Sequence, residues 1–399
     1  MLIRFMVNNF KSIKETLELS LVSGSNNKMG NTMKIGKLDI LPSAAIYGAN
    51  ASGKTNVLEA FAMMRRIVLN KDKIMQSTDC LPYDPFRLCT ETETSPTVFD
   101  IVFTIGDVKY KYGFEYDSEI VYSEWLTVFE NDIPNRIFEF DIDTGYIHNK
   151  DIKEIHDVHE MNDSLYLWEL DRRGYKYAVD VLSWFSGCSY VPFNKVNSFL
   201  TEEFSQELLK TETKEFLSKL LREADLGIDG IESIDIRDGE LNVRMLRKKY
   251  DQDGNEVGVS LFDLEEEESS GTERLFGLLE PIAKAIRTGC PLFVDELDSN
   301  MHPELVEQIL FSLFHDDSYN SRFAQLIFTT RDTSLLDLKL MDKSQIWFAE
   351  KDRLGATTLI SLDEYIGVTD RNDIKKDYMM GRYGGVPYLG DFRKFLKDE

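Results

Sequence analysis

Residues 48–55 read GANASGKT and directly follow the short apolar run AAIY at 44–47. The eight residues match the pattern G-x-x-x-x-G-K-[ST] without a gap. Apolar side chains then recur at helical spacing over 57–64. A strand, a glycine-rich loop and a helix in this order place backbone N–H groups and the positive end of a helix dipole around a bound anion. The stretch therefore predicts a phosphate-binding loop at the end of a buried strand.

This loop predicts a site for ATP and Mg²⁺. Gly48 and Gly53 allow the backbone to curve around the β-phosphate, and Lys54 reaches the β- and γ-phosphate oxygens. The hydroxyl of Thr55 is the expected magnesium ligand. The alternative is a glycine-rich turn that binds nothing. It is disfavoured because Lys54 and Thr55 would then have no role in packing. Lys54 is also a predicted catalytic residue, and the predicted nucleotide-binding residues of the loop are Gly48, Asn50, Ala51, Ser52, Gly53, Lys54, Thr55 and Asn56.

An apolar run that ends in two acidic residues supplies the other groups that such a loop needs. Residues 292–296 read LFVDE. Asp295 is expected to hold the metal through water, and Glu296 is the expected catalytic residue that orients or deprotonates the attacking water. The alternative is a solvated strand end. The phosphate-binding loop elsewhere in the chain favours the metal site.

The sequence SSGTER at 269–274 begins a predicted helix. Ser270 and Glu273 have the S-x-x-E spacing of a capping box, so one interpretation is a well-capped helix start. The other is an anion site in which Ser270 and Gly271 contact the γ-phosphate of ATP bound to another subunit. The preceding acidic run at 265–268 is either a charge-sensing element or a solvated linker.

The spacing of apolar residues divides the chain into three predicted domains. Residues 1–150 form an N-terminal ATPase lobe with the phosphate-binding loop and an antiparallel meander over 97–149. Residues 151–228 form a helical insertion, and residues 229–399 form a C-terminal ATPase lobe. The predicted fold class is α/β, with helices near 271–287 and 303–314 and buried parallel strands at 44–47, 291–294, 324–328 and 345–348.

Composition limits the partners and the location. The 399 residues include 46 basic and 70 acidic side chains, a net charge of −24, which disfavours non-specific coating of nucleic acid but not a DNA contact in a locally basic groove. No stretch approaches the roughly 20 apolar residues that span a bilayer, and no early segment has the pattern of a signal peptide. A cytoplasmic protein without membrane contact is expected. The cysteines show no CxxC spacing, so buried thiols are favoured over a metal site.

Three elements occur in order: FKS at 10–12, the phosphate-binding loop at 48–55, and a signature, SGTER at 270–274, about twenty residues before Asp295 and Glu296. They resemble the head of an SMC-, RecF- or Rad50-type ABC ATPase. A longer set of phrases comprises NFKS at 9–12, YGANASGK at 47–54, DELD at 295–298, HP at 302–303, QLIFTT at 325–330, EKD at 350–352 and GRYG at 381–384. In this order they resemble, more closely, the RloA- and AbiLi-like ATPases of prokaryotic abortive-infection and restriction-linked operons. The resemblance runs nearly end to end.

This resemblance implies an ABC-type P-loop head that dimerises around two ATP molecules. It places Lys11 and Ser12 near the nucleotide, Ser270 and Gly271 at the nucleotide of a second subunit, and Asp298 at the dimer interface. It further implies a homodimer or higher homo-oligomer that controls a partner effector, a toxin or nuclease, in anti-phage defence.

Two positions depart from the family pattern. Thr272 stands where the signature has its second glycine, and Arg331 stands where relatives carry histidine. An arginine can contact the γ-phosphate while favouring bound ATP over turnover, so Arg331 is a predicted catalytic residue and hydrolysis is expected to be slow. Gln76 is the candidate for the Q-loop glutamine. A RecF-like DNA-binding repair ATPase and a non-hydrolysing ATP-bound scaffold remain as alternative functions.

Overall fold

The computed structural model describes residues 1–24, 31–70, 81–144, 164–193, 211–224, 226–237, 240–369 and 372–387, so Gln76 lies outside the described residues. The strands are β1 (Leu2–Asn8), β2 (Leu17–Ser20), β3 (Met33–Ile35), β4 (Leu38–Ile40), β5 (Ser43–Tyr47), β6 (Thr97–Ile105), β7 (Val108–Tyr116), β8 (Val121–Glu130), β9 (Ile133–Asp141), β10 (Ser189–Val191), β11 (Gly230–Arg237), β12 (Glu240–Tyr250), β13 (Glu256–Asp263), β14 (Leu292–Val294), β15 (Leu326–Thr329), β16 (Ile346–Lys351) and β17 (Thr357–Ser361). The α-helices are α1 (Lys54–Val68), α2 (Tyr166–Arg172), α3 (Lys176–Gly187), α4 (Thr211–Glu223), α5 (Ser270–Thr288), α6 (Pro303–Gln308) and α7 (Ile374–Met379).

One sheet is antiparallel throughout and has the order β2-β1-β6-β7-β8-β9. It contains the meander predicted over 97–149, which is confirmed for β6 to β9. One face is lined by large buried aromatic side chains, among them Phe99, Phe103, Tyr112 and Phe114. Because side chains alternate along a strand, these residues give the sheet one continuous apolar face to pack against the rest of the molecule.

A second sheet has the order β10-β14-β15-β5-β16-β17, with β17 antiparallel to the rest. Its parallel strands confirm the four predicted at apolar runs. Their side chains are buried on both faces, which is why the sequence shows continuous apolar runs and no alternation. The carboxyl ends of β5 and β14 lie at the same edge of the sheet, with β15 between the two strands.

Helices cover both faces of this parallel sheet. On one face, α1 and α3 pack between it and the antiparallel sheet, where the ring of Phe61 stacks on Phe293 at 3.8 Å and Phe103 stacks on Trp184 at 4.1 Å. On the other face lie α5, α6 and the sheet of order β11-β12-β13. The phosphate-binding loop therefore follows a strand of a sheet that is covered on both faces. None of the described helices is long and apolar enough to cross a membrane.

The side chain of Gln325 joins the two large sheets. It is fully buried, accepts a hydrogen bond from the backbone N–H of Leu2 at 2.6 Å, and donates to the carbonyl oxygens of Leu2 at 2.9 Å and Leu41 at 3.0 Å. A buried amide satisfied on both ends stabilises its partners, whereas its removal would leave backbone groups without partners. Gln325 therefore fixes the first strand to the parallel sheet.

Two elements differ from the sequence predictions. The strand β10 lies within 151–228, which was predicted as a helical insertion, and it pairs with β14 in the central sheet. Three residues directly after a helix are too few to produce a recognisable strand pattern. The helix predicted near 303–314 is α-helical only to Gln308 and continues as a π-helical turn, Ile309–Phe314. The division into three domains stays a prediction.

The buried carboxyl of Glu124 is expected to make the stability of the folded protein depend on pH. This fully buried carboxyl accepts hydrogen bonds from the Tyr112 hydroxyl at 2.9 Å and from the backbone N–H groups of Tyr166 and Leu167 at 2.5 and 3.2 Å. Burial raises its pKa to about 7 from an ordinary value of 4.5, against the effect of these hydrogen bonds. Since the folded chain binds the proton more tightly, the stability that Glu124 contributes is greatest at low pH and declines as pH rises to about 7.

We therefore expect the wild type to lose about 2 kcal/mol of unfolding free energy relative to Glu124→Gln between pH 5.5 and pH 8. Urea unfolding of both proteins across this range measures the difference. Using the difference removes the contributions of the other titrating groups. Two curves that stay parallel would show that Glu124 does not titrate in this range.

Candidate active site

The phosphate-binding loop joins β5 to α1, and α1 begins at Lys54. The Lys54 side chain is almost completely buried, and its ammonium group donates to the carbonyl oxygens of Gly48 at 2.6 Å and Ala49 at 2.9 Å. Burial lowers the pKa of Lys54, and the positive charge of Arg331 lowers it further, while nearby carboxylates act against both. The lysine thus lies inside the curve of the loop and close to the acidic residues of the site.

The loop is supported from its inner side by two hydroxyl groups. Thr357 donates to the carbonyl oxygen of Ser52 at 2.9 Å and lies 2.7 Å from the Ser12 hydroxyl, which accepts from the Asn56 side chain at 2.6 Å. A Cβ atom on Gly53, whose φ is +98°, would lie 2.1 Å from the Thr357 hydroxyl oxygen. Glycine is therefore required here both by conformation and by space. Ser12 and Asn56, both predicted to bind nucleotide, belong to this group of hydrogen-bonded side chains next to the loop.

The tip of the loop is exposed, whereas the hydroxyl of Ser52 in the same loop is buried. Asn50 and Ala51 are exposed at the tip, and Ala51 has a φ of +63°. The hydroxyl of Ser52 is buried and has no hydrogen-bond partner within the described residues. A buried polar group without a partner is uncommon in folded proteins and calls for a ligand or water.

Lys11 lies in the turn after β1 and beside α1. Its ammonium group forms an ion pair with Glu59 at 2.6 Å, and its backbone N–H donates to the carbonyl oxygen of Asp84 at 2.7 Å. Lys11 has a φ of +49°, which fixes the turn between β1 and β2. The structure thus places Lys11 beside α1 with its charge paired.

Thr55 and Asp295, separated by 240 positions in the sequence, are in direct contact. The Thr55 hydroxyl lies 3.1 Å from each carboxylate oxygen of Asp295. Thr329, at the end of the intervening strand β15, donates to Asp295 at 2.7 Å and accepts from the backbone N–H of Glu296 at 2.7 Å. Asp295 is almost fully buried. A hydroxyl and a carboxylate are the oxygen ligands that Mg²⁺ prefers.

Glu296 is held by two arginines. Its carboxylate forms an ion pair with the Arg331 side chain, and the backbone N–H of Arg331 donates to Asp298 at 3.3 Å. Arg274, a buried residue in the first turn of α5, donates to the carbonyl oxygens of Asp295 at 2.7 Å and Glu296 at 3.2 Å. Glu296 has a φ of +48°, so its backbone adopts an uncommon conformation that Arg274 stabilises. Sequence reasoning missed this use of Arg274.

The start of α5 corrects the predicted capping box. The N-cap is Ser269, one residue before Ser270, and its hydroxyl accepts from the backbone N–H of Thr272 at 3.2 Å. Two consecutive serines both fit a cap, so spacing alone selected the wrong one. Ser270 is exposed. A Cβ atom on Gly271 would lie 2.6 Å from the carbonyl oxygen of Asn300, so this glycine permits a close approach of the segment that follows the acidic pair.

A cavity of about 570 Å³ opens beside the contact between Thr55 and Asp295. Its wall includes side chains from the turn after β1, from α1 and from the ends of β10 and β14: Lys11, Thr55, Glu59, Tyr190, Asp295 and Glu296. Tyr190 was not among the predicted site residues, because β10 was not recognised as a strand of the central sheet. The predicted residues of the loop and of the acidic pair are brought together, whereas Ser270 and Gly271 lie at the start of α5.

The groups present fit a magnesium nucleotide. The loop combines a buried ammonium group, a buried hydroxyl that finds no partner in the described part of the chain, and a position, Gly53, with no room for a side chain. Thr55 and Asp295 supply oxygen atoms suited to Mg²⁺. Within the described ranges, no group of three or more His, Cys, Asp or Glu side chains is arranged to hold a metal ion.

Comparison with known families indicates where the chain belongs. A family model described as "AAA domain, putative AbiEii toxin, Type IV TA system" matches residues 43–337. The matched range begins at the first residue of β5 and ends beyond β15, so it contains the phosphate-binding loop, the acidic pair and Arg331. No curated protein matches the chain.

Proposed function

Because the chain belongs to this family of AAA domains and is a P-loop ATPase of the abortive-infection or toxin–antitoxin type, we propose that it is a dimeric, ATP-dependent switch that controls a partner effector. The observation that carries the proposal is the contact between Thr55 of the phosphate-binding loop and Asp295 after β14. This contact supports the proposal because Thr55 and Asp295 were predicted separately as the two magnesium-binding residues of one nucleotide site.

Each residue of the site has a proposed role. Lys54 would hold the β- and γ-phosphate oxygens together with the N–H groups of residues 48–53. Thr55 and Asp295 would hold Mg²⁺, which neutralises charge on the phosphate oxygens. Glu296 would orient the attacking water and accept its proton. Lys11 carries only an indirect role, since its charge is used by Glu59.

The ion pair between Arg331 and Glu296 bears on the rate of hydrolysis. In this arrangement the carboxylate that would serve as base is bound to a cation. About half of the Arg331 side chain is exposed, so the pair contributes little to stability, in the range of about 0–1 kcal/mol, and opens at small cost. We infer that Arg331 exchanges between Glu296 and a phosphate oxygen, which keeps hydrolysis slow. The same ion pair favours, as a second candidate function, a scaffold that binds ATP without hydrolysing it.

The proposed dimer rests on the start of α5. Ser270 is exposed at the N-terminus of a 19-residue helix, where backbone N–H groups and the helix dipole favour an anion. In the family that the sequence resembles, this turn contacts the nucleotide of a second subunit. We infer the same arrangement here, with Gly271 and Asp298 at the interface.

The proposed effector is a protein of toxin or nuclease chemistry. Support comes from the family description, which names a toxin of a type IV toxin–antitoxin system, and from the resemblance to abortive-infection ATPases. The net charge of −24 makes a nucleic acid a poorer direct ligand. A cytoplasmic role in anti-phage defence agrees with these features.

A subunit-mixing experiment tests the switch. Ser270→Arg should disable the half-site that a subunit presents to the ATP of its partner while the subunit keeps its own ATP-binding loop, whereas Lys54→Ala should damage the loop while keeping Ser270. Each variant alone should lack ATPase activity, and their mixture should partly regain it, because one composite site then has both intact halves. Ser186→Arg, an exposed serine on α3, is the matched control and should remain active. A mixture as inactive as its components, beside an active wild type, would contradict sites shared between subunits.

A further inference from the structure

The hydroxyl group of Tyr190 is buried beside the acidic pair and has no hydrogen-bond partner within the described residues. Tyr190 lies on β10, opposite Phe293 of β14 in the parallel register. The backbone N–H of Asp295 donates to the carbonyl oxygen of Val191 at 2.9 Å, so β10 is bonded to the residue proposed to hold the metal. Position in the sheet therefore places Tyr190 next to the proposed magnesium site.

Leaving this hydroxyl without a partner costs free energy. A buried donor with no acceptor typically costs about 1–3 kcal/mol, and folded proteins retain few of them without a reason. A phenylalanine would fill the same space without this cost. Tyr190 differs from Tyr47 and Tyr166, which have hydroxyls of the same kind, because it lines the cavity beside Asp295, where a bound polar group can serve as its partner.

The surroundings indicate which ligand. Tyr190 lines the cavity of about 570 Å³ together with Thr55, Glu59, Asp295 and Glu296. A volume of this size holds several water molecules, each of which occupies roughly 30 Å³ in the liquid. Burial and the negative charges of Glu59 and Asp295 raise the pKa of Tyr190, so its hydroxyl stays protonated and acts as a hydrogen-bond donor.

We infer that Tyr190 is a positioning residue that donates a hydrogen bond to a water molecule bound to the Mg²⁺ held by Thr55 and Asp295. The inference rests on the proposed nucleotide site and adds an outer partner to it. Asp295 lies close to the hydroxyl of Thr55 and accepts from Thr329, and Tyr190 supplies a donor from the neighbouring strand β10. Outer partners of this kind orient the groups that bind the metal directly.

The test compares Tyr190→Phe with Tyr166→Phe. Tyr166, on α2, also has a buried hydroxyl with no partner among the residues that the structure describes, but it is not among the cavity residues, so both variants delete the same group. Mn²⁺ serves as the metal probe, and electron paramagnetic resonance measures free Mn²⁺ in the presence of ATP. ATP binding without metal and thermal unfolding are measured on the same samples.

For Tyr190→Phe we expect the Kd for Mn²⁺ to rise about 10- to 100-fold, with metal-free ATP binding and the unfolding midpoint unchanged or slightly improved. Tyr166→Phe should retain the wild-type Kd. An unchanged Mn²⁺ affinity in Tyr190→Phe, or an equal loss in both variants, would overturn the inference. A wild type that binds no ATP at all would instead refute the proposed function.

Discussion

Replacing Lys54 by alanine is expected to weaken binding of magnesium ATP about 30- to 1,000-fold. The ammonium group is almost fully buried and surrounded by loop carbonyl groups, so its charge acts at short range on the phosphate oxygens. Removing one partner of a buried, hydrogen-bonded charge pair costs about 2–4 kcal/mol, which gives this range. Titration with a fluorescent ATP analogue measures the change.

Lys176→Ala is the matched control for this variant. Lys176 is a largely exposed lysine on α3, and its removal should leave nucleotide affinity unchanged. Thermal unfolding of both variants shows whether the fold persists. If a folded Lys54→Ala protein bound the nucleotide as tightly as the wild type, the loop at 48–55 would not be the nucleotide site.

The second large effect is expected for Glu296→Gln. The amide has nearly the same shape as the carboxylate but accepts no proton, so hydrolysis should fall about 10²- to 10⁴-fold. ATP binding should be retained, and the ATP-bound dimer should accumulate. Single-turnover phosphate release measures the rate, and sedimentation velocity with and without ATP measures the dimer.

The control is Glu119→Gln, an exposed acidic residue between β7 and β8. It should hydrolyse ATP at the wild-type rate. Equal rates in Glu296→Gln and the wild type would instead support the scaffold function, in which Arg331 keeps Glu296 from acting as a base. The outcome thus separates the two candidate functions.

The elements that the sequence predicted are those with local signals. The loop at 48–55 carries its own turn chemistry, and the apolar runs that form β5, β14, β15 and β16 are continuous because both faces of a parallel sheet are buried. The strand β10 has only three residues, too few to show the alternation or the apolar run that marks a strand. Its place in the sheet depends on pairing with β14, which is about 100 positions away.

The same distinction holds within the site. The contact of Thr55 with Asp295 could be anticipated because each belongs to a motif with a defined role. Arg274 and Thr357 bond to residues that are not their neighbours in sequence, Tyr190 reaches the site only through the pairing of β10 with β14, and all three residue types are common in ordinary surfaces and cores. The cap at Ser269 was missed because neighbouring serines offer the same chemistry, and only the backbone geometry distinguishes them.

The position of β5 between β15 and β16 has a consequence for how the chain folds. Both neighbours of β5 lie about 280–300 residues later, so the strand that carries the phosphate-binding loop cannot be paired until most of the chain has been synthesised. At the usual translation rate of about 5–20 residues per second, that interval is about 15–60 s. During this interval an apolar strand and its helix remain without their sheet, and nascent chains are at that stage most prone to aggregate and most dependent on chaperones.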